Sequence, residues 1–257
     1  FEGNQSELML QRLSSAKIFN QIVDLWETRL QVDWKYGGKN TNISPDETSV
    51  LEINKKSFYL PKNREEIEAE LQRRLDNAMV STPVRIERDI NADTECIPTE
   101  LILQNGKRAS TEQMSIVEAH EKGHLIRTYS GMYYEMIFHE GFDFSLDIIK
   151  REVVKNSGPE KKSPLADPNQ AAEDLENATA QMYWYISQPA ELCERMSQLK
   201  NYFGMSGTEE FTKTHLDYAR ENYVTDTGMD NNMTLFFECI TPDSEADFVK
   251  LMNTVGI

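Results

Sequence analysis

Ser110-Thr111-Glu112-Gln113 leads into Met114-Ser115-Ile116-Val117-Glu118-Ala119-His120-Glu121-Lys122-Gly123-His124-Leu125-Ile126, and the reading of the chain turns on this stretch. Ser110 with Gln113 three residues on is a capping-box pattern, each side chain satisfying the other's backbone N–H at the start of a helix. The spacing predicts a helix from Ser110 to about Ser130, interrupted by Gly131. Within it His120 and His124 stand at i and i+4, on one face and one turn apart, so two imidazoles can converge on one ion. Glu121 is rotated roughly 100° from His120, close enough to act on water at the ion without being a ligand. Zinc suits such a site: neutral imidazole is a good borderline ligand, and the bound ion brings the pKa of water towards about 7, within reach of a carboxylate base.

Outward from the motif, the predicted elements are mostly helices. Leu8, Met9, Leu13, Ala16, Phe19, Val23, Trp26 and Leu30 keep helical spacing and predict one long amphipathic helix, stopped by Gly37-Gly38. Val50 to Leu60 reads as a strand; Asn63 with Glu66 caps a helix whose buried stripe is Ile67, Leu71, Leu75 and Met79. Pro83 to Arg88 and Pro98 to Gln104 have strand character, with a turn at Asn105-Gly106. Met132 to Val154 is expected to be helical and 156–168 an exposed loop. Helices follow at Gln170–Ile186, Pro189–Phe203 and Thr208–Tyr223, then a possible strand at Thr234–Ile240 and a short helix at Asp243–Met252. The aromatic run Tyr183-Trp184-Tyr185 is expected to be core.

Composition narrows the partners. The 257 residues carry 27 Lys plus Arg against 43 Asp plus Glu, a formal charge of -16, which is the reverse of a nucleic-acid footprint. No run of apolar residues approaches a membrane span, and no targeting signal is visible. Neither nucleic acid nor membrane is expected as a partner, and the expected location is cytoplasmic or within a protein assembly. Cys96, Cys193 and Cys239 are too scattered for a disulfide framework and are read as free thiols.

The strand, turn and HExxH helix between Pro98 and Tyr129 resemble the zincin metallopeptidases in both motif and order. The resemblance implies an α+β, predominantly helical chain, with a zincin-like domain at 81–257 holding a small sheet beside the HExxH helix, and a helical N-terminal portion at 1–80. Glu118 and Lys122 depart from the family, which usually has uncharged residues there; helical phase can turn both away from the metal. The long metzincin form needs Gly and His where Arg127 and Ser130 stand, so a gluzincin-like site remains, with a carboxylate on a later helix. Gln188-Pro189-Ala190-Glu191-Leu192-Cys193-Glu194-Arg195 is similar to the ligand helices of that group, which points to Glu191 as the third ligand, with Arg195 one turn on to hold its carboxylate. Glu194, Glu176, Glu135 and His139 compete for that role. Glu191, Arg195 and Gln198 also share one polar stripe, beside an apolar one of Leu192, Met196 and Leu199.

The implied function is zinc-dependent hydrolysis of peptide bonds. Zn2+ is the cofactor, His120, His124 and Glu191 the metal ligands, Glu121 the general base, and His215 the candidate for stabilising the oxyanion, with Tyr218 and Tyr202 behind it. Its partner would be a protein or peptide substrate. The other reading is a non-catalytic zincin-fold component of a larger assembly such as a viral particle, in which protein partners replace the substrate.

Overall fold

In a computed structural model the described residues are 3–36, 50–53, 56–59, 61, 63–80, 86–88, 93–95, 101–103, 105–127, 182–183, 185–186 and 189–257. Eight helices account for most of them: α1 (Gln5–Leu13), α2 (Ala16–Tyr36), α3 (Arg64–Val80), α4 (Thr111–Arg127), α5 (Pro189–Tyr202), α6 (Lys213–Thr227), α7 (Met233–Glu238) and α8 (Glu245–Thr254). The predicted helix at Met132–Val154, the loop at 156–168, most of the helix at Gln170–Ile186, and Glu135, His139 and Glu176 lie outside the described residues.

Among the described residues the small sheet expected beside the motif helix is not found, and the α+β assignment is corrected there to a helix-on-helix arrangement. Among the described residues β structure amounts to two separate antiparallel pairs and one isolated bridge. The pairs join β1 (Val50–Ile53) to β2 (Lys56–Tyr59) and β3 (Ile86–Arg88) to β4 (Asp93–Glu95), and the bridge joins Ile102 to Arg108. Leu101-Ile102-Leu103 has strand composition, but the chain doubles back at Gly106, whose φ of +76° favours glycine, and Ile102 is left 57% exposed. A single bridge with no third strand offers no face to cover.

Two more expectations change. The single N-terminal helix is broken at Ser14–Ser15: the Ser15 hydroxyl donates to the Arg12 carbonyl at 2.6 Å, and Gly207 lies so close to Ser15 that a Cβ there would fall 1.9 Å from its Oγ. The 234–240 strand is helix α7, because Met233, Phe236 and Phe237 fall on one buried face and Asp230 accepts the Thr234 N–H at 2.8 Å. Packing outweighs the strand propensity of Thr and Phe there. The Ser110–Gln113 capping box is present in both directions, Ser110 N–H donating to Gln113 Oε1 at 2.8 Å and Gln113 N–H to Ser110 Oγ at 3.2 Å, while at α3 Asn63 Oδ1 accepts the Glu66 N–H at 3.0 Å.

Helix α4 is packed by α1 on one side, α5 on another and α3 at its C-terminal end, where Arg74 donates to the Leu125 carbonyl at 3.2 Å. One hydrophobic cluster runs from Met9, Leu13, Trp26 and Leu71 through Met196 and Leu199 to Tyr223, Phe236 and Phe248, so residues before and after position 80 share a core. Every residue of α5 from Glu191 to Tyr202 is buried, polar and apolar alike. A polar helix can sit there only if its side chains find partners inside the protein.

Candidate metal centre

On α4, His120, Gly123, His124 and Arg127 fall on one face and Glu118 and Lys122 on the opposite one. The second pair closes on itself, Lys122 Nζ lying 2.7 Å from Glu118 Oε1, and lines a cavity with Ser6, Glu7, Leu10 and Gln11 of α1. The charges that depart from the zincin pattern thus point away from the histidines. The first face meets α5. A Cβ on Gly123 would lie 1.8 Å from Glu194 Oε2, so glycine inside the motif is what lets the two helices approach this closely.

At that contact three ligating groups converge. His120 Nε2 is 3.2 Å from Glu191 Oε2, His124 Nε2 is 3.3 Å from Glu191 Oε1, and the two Nε2 atoms are 3.1 Å apart. All three residues are buried, and they form the only group of three or more His, Cys, Asp or Glu able to hold an ion among the described residues. Around a tetrahedral ion with bonds of about 2.0 to 2.2 Å, neighbouring ligand atoms stand about 3.3 to 3.6 Å apart. The observed separations lie close to that spacing, and the donor set of two imidazoles and a carboxylate fits zinc.

The electrostatics agree with a preassembled anionic ligand. Burial opposes ionisation of Glu191, but the contacts with His120 and His124 outweigh it and hold its carboxyl well below the usual range. Burial likewise disfavours the His124 cation, yet Glu191, Glu194 and Glu121 raise its pKa. Arg195 reaches the same carboxylate, Nη2 lying 3.6 Å from Glu191 Oε2, while its Nη1 donates to the Asn231 carbonyl at 2.6 Å. That carbonyl belongs to a pair of left-handed residues, Asn231 and Asn232 at φ 48° and 61°, a conformation asparagine tolerates better than most. Glu121 is half-buried beside the cluster, where its charge acts on both His124 and Tyr185.

His120, Glu121, His124 and Glu191 are thus brought together, and Arg195 with them. Glu194 is not at the ligand point: it is fully buried one turn away, where Arg127 donates to it at 2.6 Å. His215 is also elsewhere. Its Nδ1 accepts the Thr212 N–H at 3.0 Å in the capping box of α6, and its ring packs against Phe203 and Phe211. Tyr218 is half exposed, and Tyr202 donates to Asp226 at 2.6 Å.

Three residues at the site had no role in the sequence reading. Tyr185, expected in the core, is 38% exposed and lies near Glu191; burial, then the Glu191 charge, pushes this phenol above its ordinary pKa. Gln198 accepts from His120 Nδ1 at 2.8 Å and Tyr223 contacts Gln198 at 3.3 Å. Gln198 was visible on the Glu191 stripe, but nothing in the sequence points to Tyr223, which arrives from a separate helix. No protein-family model, curated protein or solved structure matches the chain.

Proposed function

We propose that this chain is a zinc-dependent hydrolase of peptide bonds, with His120, His124 and Glu191 as metal ligands and Glu121 as general base. One observation carries the reading: two histidines from α4 and a carboxylate from α5, 71 residues apart in sequence from His120, meet with atoms 3.1 to 3.3 Å apart. A zinc ion held there would supply a Lewis acid that makes water nucleophilic near neutral pH and polarises a carbonyl. Glu121 follows His120 directly but is less buried than the ligands, so it faces water and substrate. It takes a proton from the attacking water and returns it to the leaving amine. Tyr185, part-exposed beside Glu191, is the hydroxyl available to donate to the developing oxyanion, a role that His215 is too far engaged in its helix cap to fill. The choice of a peptide bond comes from the likeness of the HExxH helix to the zincins.

The test is hydrolysis of casein and a peptide library by purified protein refolded with zinc. Wild type is expected to bind one zinc and turn substrate over; Glu121→Gln is expected to keep the zinc and lose turnover, since an amide cannot accept the proton. Zinc binding with no turnover would favour the metal-stabilised, non-catalytic assembly component. No zinc uptake at all ends the metal reading.

A further inference from the structure

The side of His120 facing away from Glu191 is as tightly held as the side facing it. Gln198 Oε1 lies 2.8 Å from Nδ1, and Gln198 Nε2 is 3.3 Å from the Tyr223 hydroxyl. Gln198 is 2% exposed and Tyr223 1% exposed, so neither can exchange its partner for bulk water. Tyr223 is fixed in turn by the rings of Tyr202 and Phe237, at centroid distances of 5.0 and 6.4 Å. Gln198 stands seven residues after Glu191, two turns along the same face of α5, so one helix delivers a carboxylate to one nitrogen of His120 and an amide to the other.

We infer that Gln198, braced by Tyr223, is a positioning residue that fixes the tautomer and ring orientation of His120. An amide oxygen can only accept, so Nδ1 must carry the proton and Nε2 is left with its lone pair directed at His124 and Glu191. Being uncharged, the amide does this without adding a second anion next to Glu191. Without Gln198 the buried Nδ1–H has no acceptor and the ring is free to turn or to place its proton on the ligating nitrogen. The inference rests on the metal-centre reading above and extends it from the ligands to what orients one of them.

The experiment measures zinc affinity by competition with a chelating dye on the full chain, together with the 15N imidazole shifts of His120. Gln198→Leu is expected to weaken zinc binding about 10- to 100-fold, the usual cost of removing such a partner. Gln198→Glu, which keeps an acceptor, is expected to restore affinity to within a few-fold, and the wild-type shifts should report a protonated Nδ1 and a zinc-bound Nε2. Tyr223→Phe, which removes only the brace, should lie between. Gln198→Leu binding zinc like wild type, while His124→Ala does not bind, overturns the role of Gln198 and leaves the metal centre intact. So does equal weakening by the Leu and Glu variants, or a His120 bound through Nδ1. Wild type that takes up no zinc overturns the metal centre first.

Discussion

The α4–α5 contact has two ends, both built of buried polar groups and opposite in what they need. At one end the ligating atoms of His120, His124 and Glu191 stand 3.1 to 3.3 Å apart. At the other, Arg127 donates to Glu194 at 2.6 Å and to Ser197 Oγ at 3.0 Å, and Arg12 from α1 adds bonds to Ser197 Oγ at 2.8 Å and Asn201 Oδ1 at 2.7 Å. The second end has its cations built in, with Arg127 and Arg12 facing Glu194 and Lys200 close to both arginines. At the histidine end the built-in cation is Arg195, with Nη2 at 3.6 Å from Glu191 Oε2. Similar burial on the same two helices thus gives a buried ion pair in one place and a candidate metal site in the other. What separates them is which side chain stands opposite the carboxylate, Arg127 or a pair of histidines.

The largest break in this comparison is expected from the Arg127–Glu194 pair. Glu194→Ala leaves Arg127 buried without its main counter-charge and should cost about 3 to 5 kcal/mol in urea unfolding, whereas the double change Glu194→Leu with Arg127→Met should recover most of it. A loss below about 1 kcal/mol for Glu194→Ala would mean that the pair is not structural. At the other end the expected effect appears on adding zinc. At one hundred times its dissociation constant zinc should stabilise wild type by about 2.7 kcal/mol, raising the unfolding midpoint, and should leave His124→Ala unmoved. Equal zinc responses from both proteins would place the ion somewhere else.

Gly123 joins the two ends, and Gly123→Ala tests their shared spacing. Its Cβ would press on Glu194 Oε2 and should cost about 1 to 3 kcal/mol as overpacking, with zinc affinity falling as α5 is displaced; an unchanged unfolding midpoint would count against the close approach. The smallest effect concerns the surplus of cations. Burial, then Arg12, Lys17 and Arg127, push Lys200 down to about 7. Between about pH 7 and the unfolded value near 10.4 the unfolded chain binds this proton and the folded chain does not, so stability from this group is present at high pH and lost as pH falls through about 7. Lys200→Met should therefore stabilise the protein at pH 7 by roughly 1 kcal/mol, softened by relaxation around the buried amine, and should narrow the difference in urea midpoint between pH 7 and pH 10. A variant with the wild-type pH difference would show that Lys200 keeps its charge throughout.

The amino-acid sequence by itself determined the local part of this protein. HExxH spacing puts His120 and His124 on one helical face, Ser110 and Gln113 start that helix, and the stripe of Glu191, Arg195 and Gln198 follows from 3.6 residues per turn. These relations span a few residues and are fixed by backbone geometry. Tertiary structure alone decided the rest: that the Glu191 face of α5 turns to α4, that Tyr223 reaches Gln198, and that residues 233–238 coil instead of extending. Each of these depends on which distant surfaces pack together, and a helix reports its faces without reporting what will cover them. Glu191 and Glu194 show the limit most plainly, since both are buried acids on one helix, and only the identity of the residues across the contact makes one a candidate ligand and the other half of an ion pair.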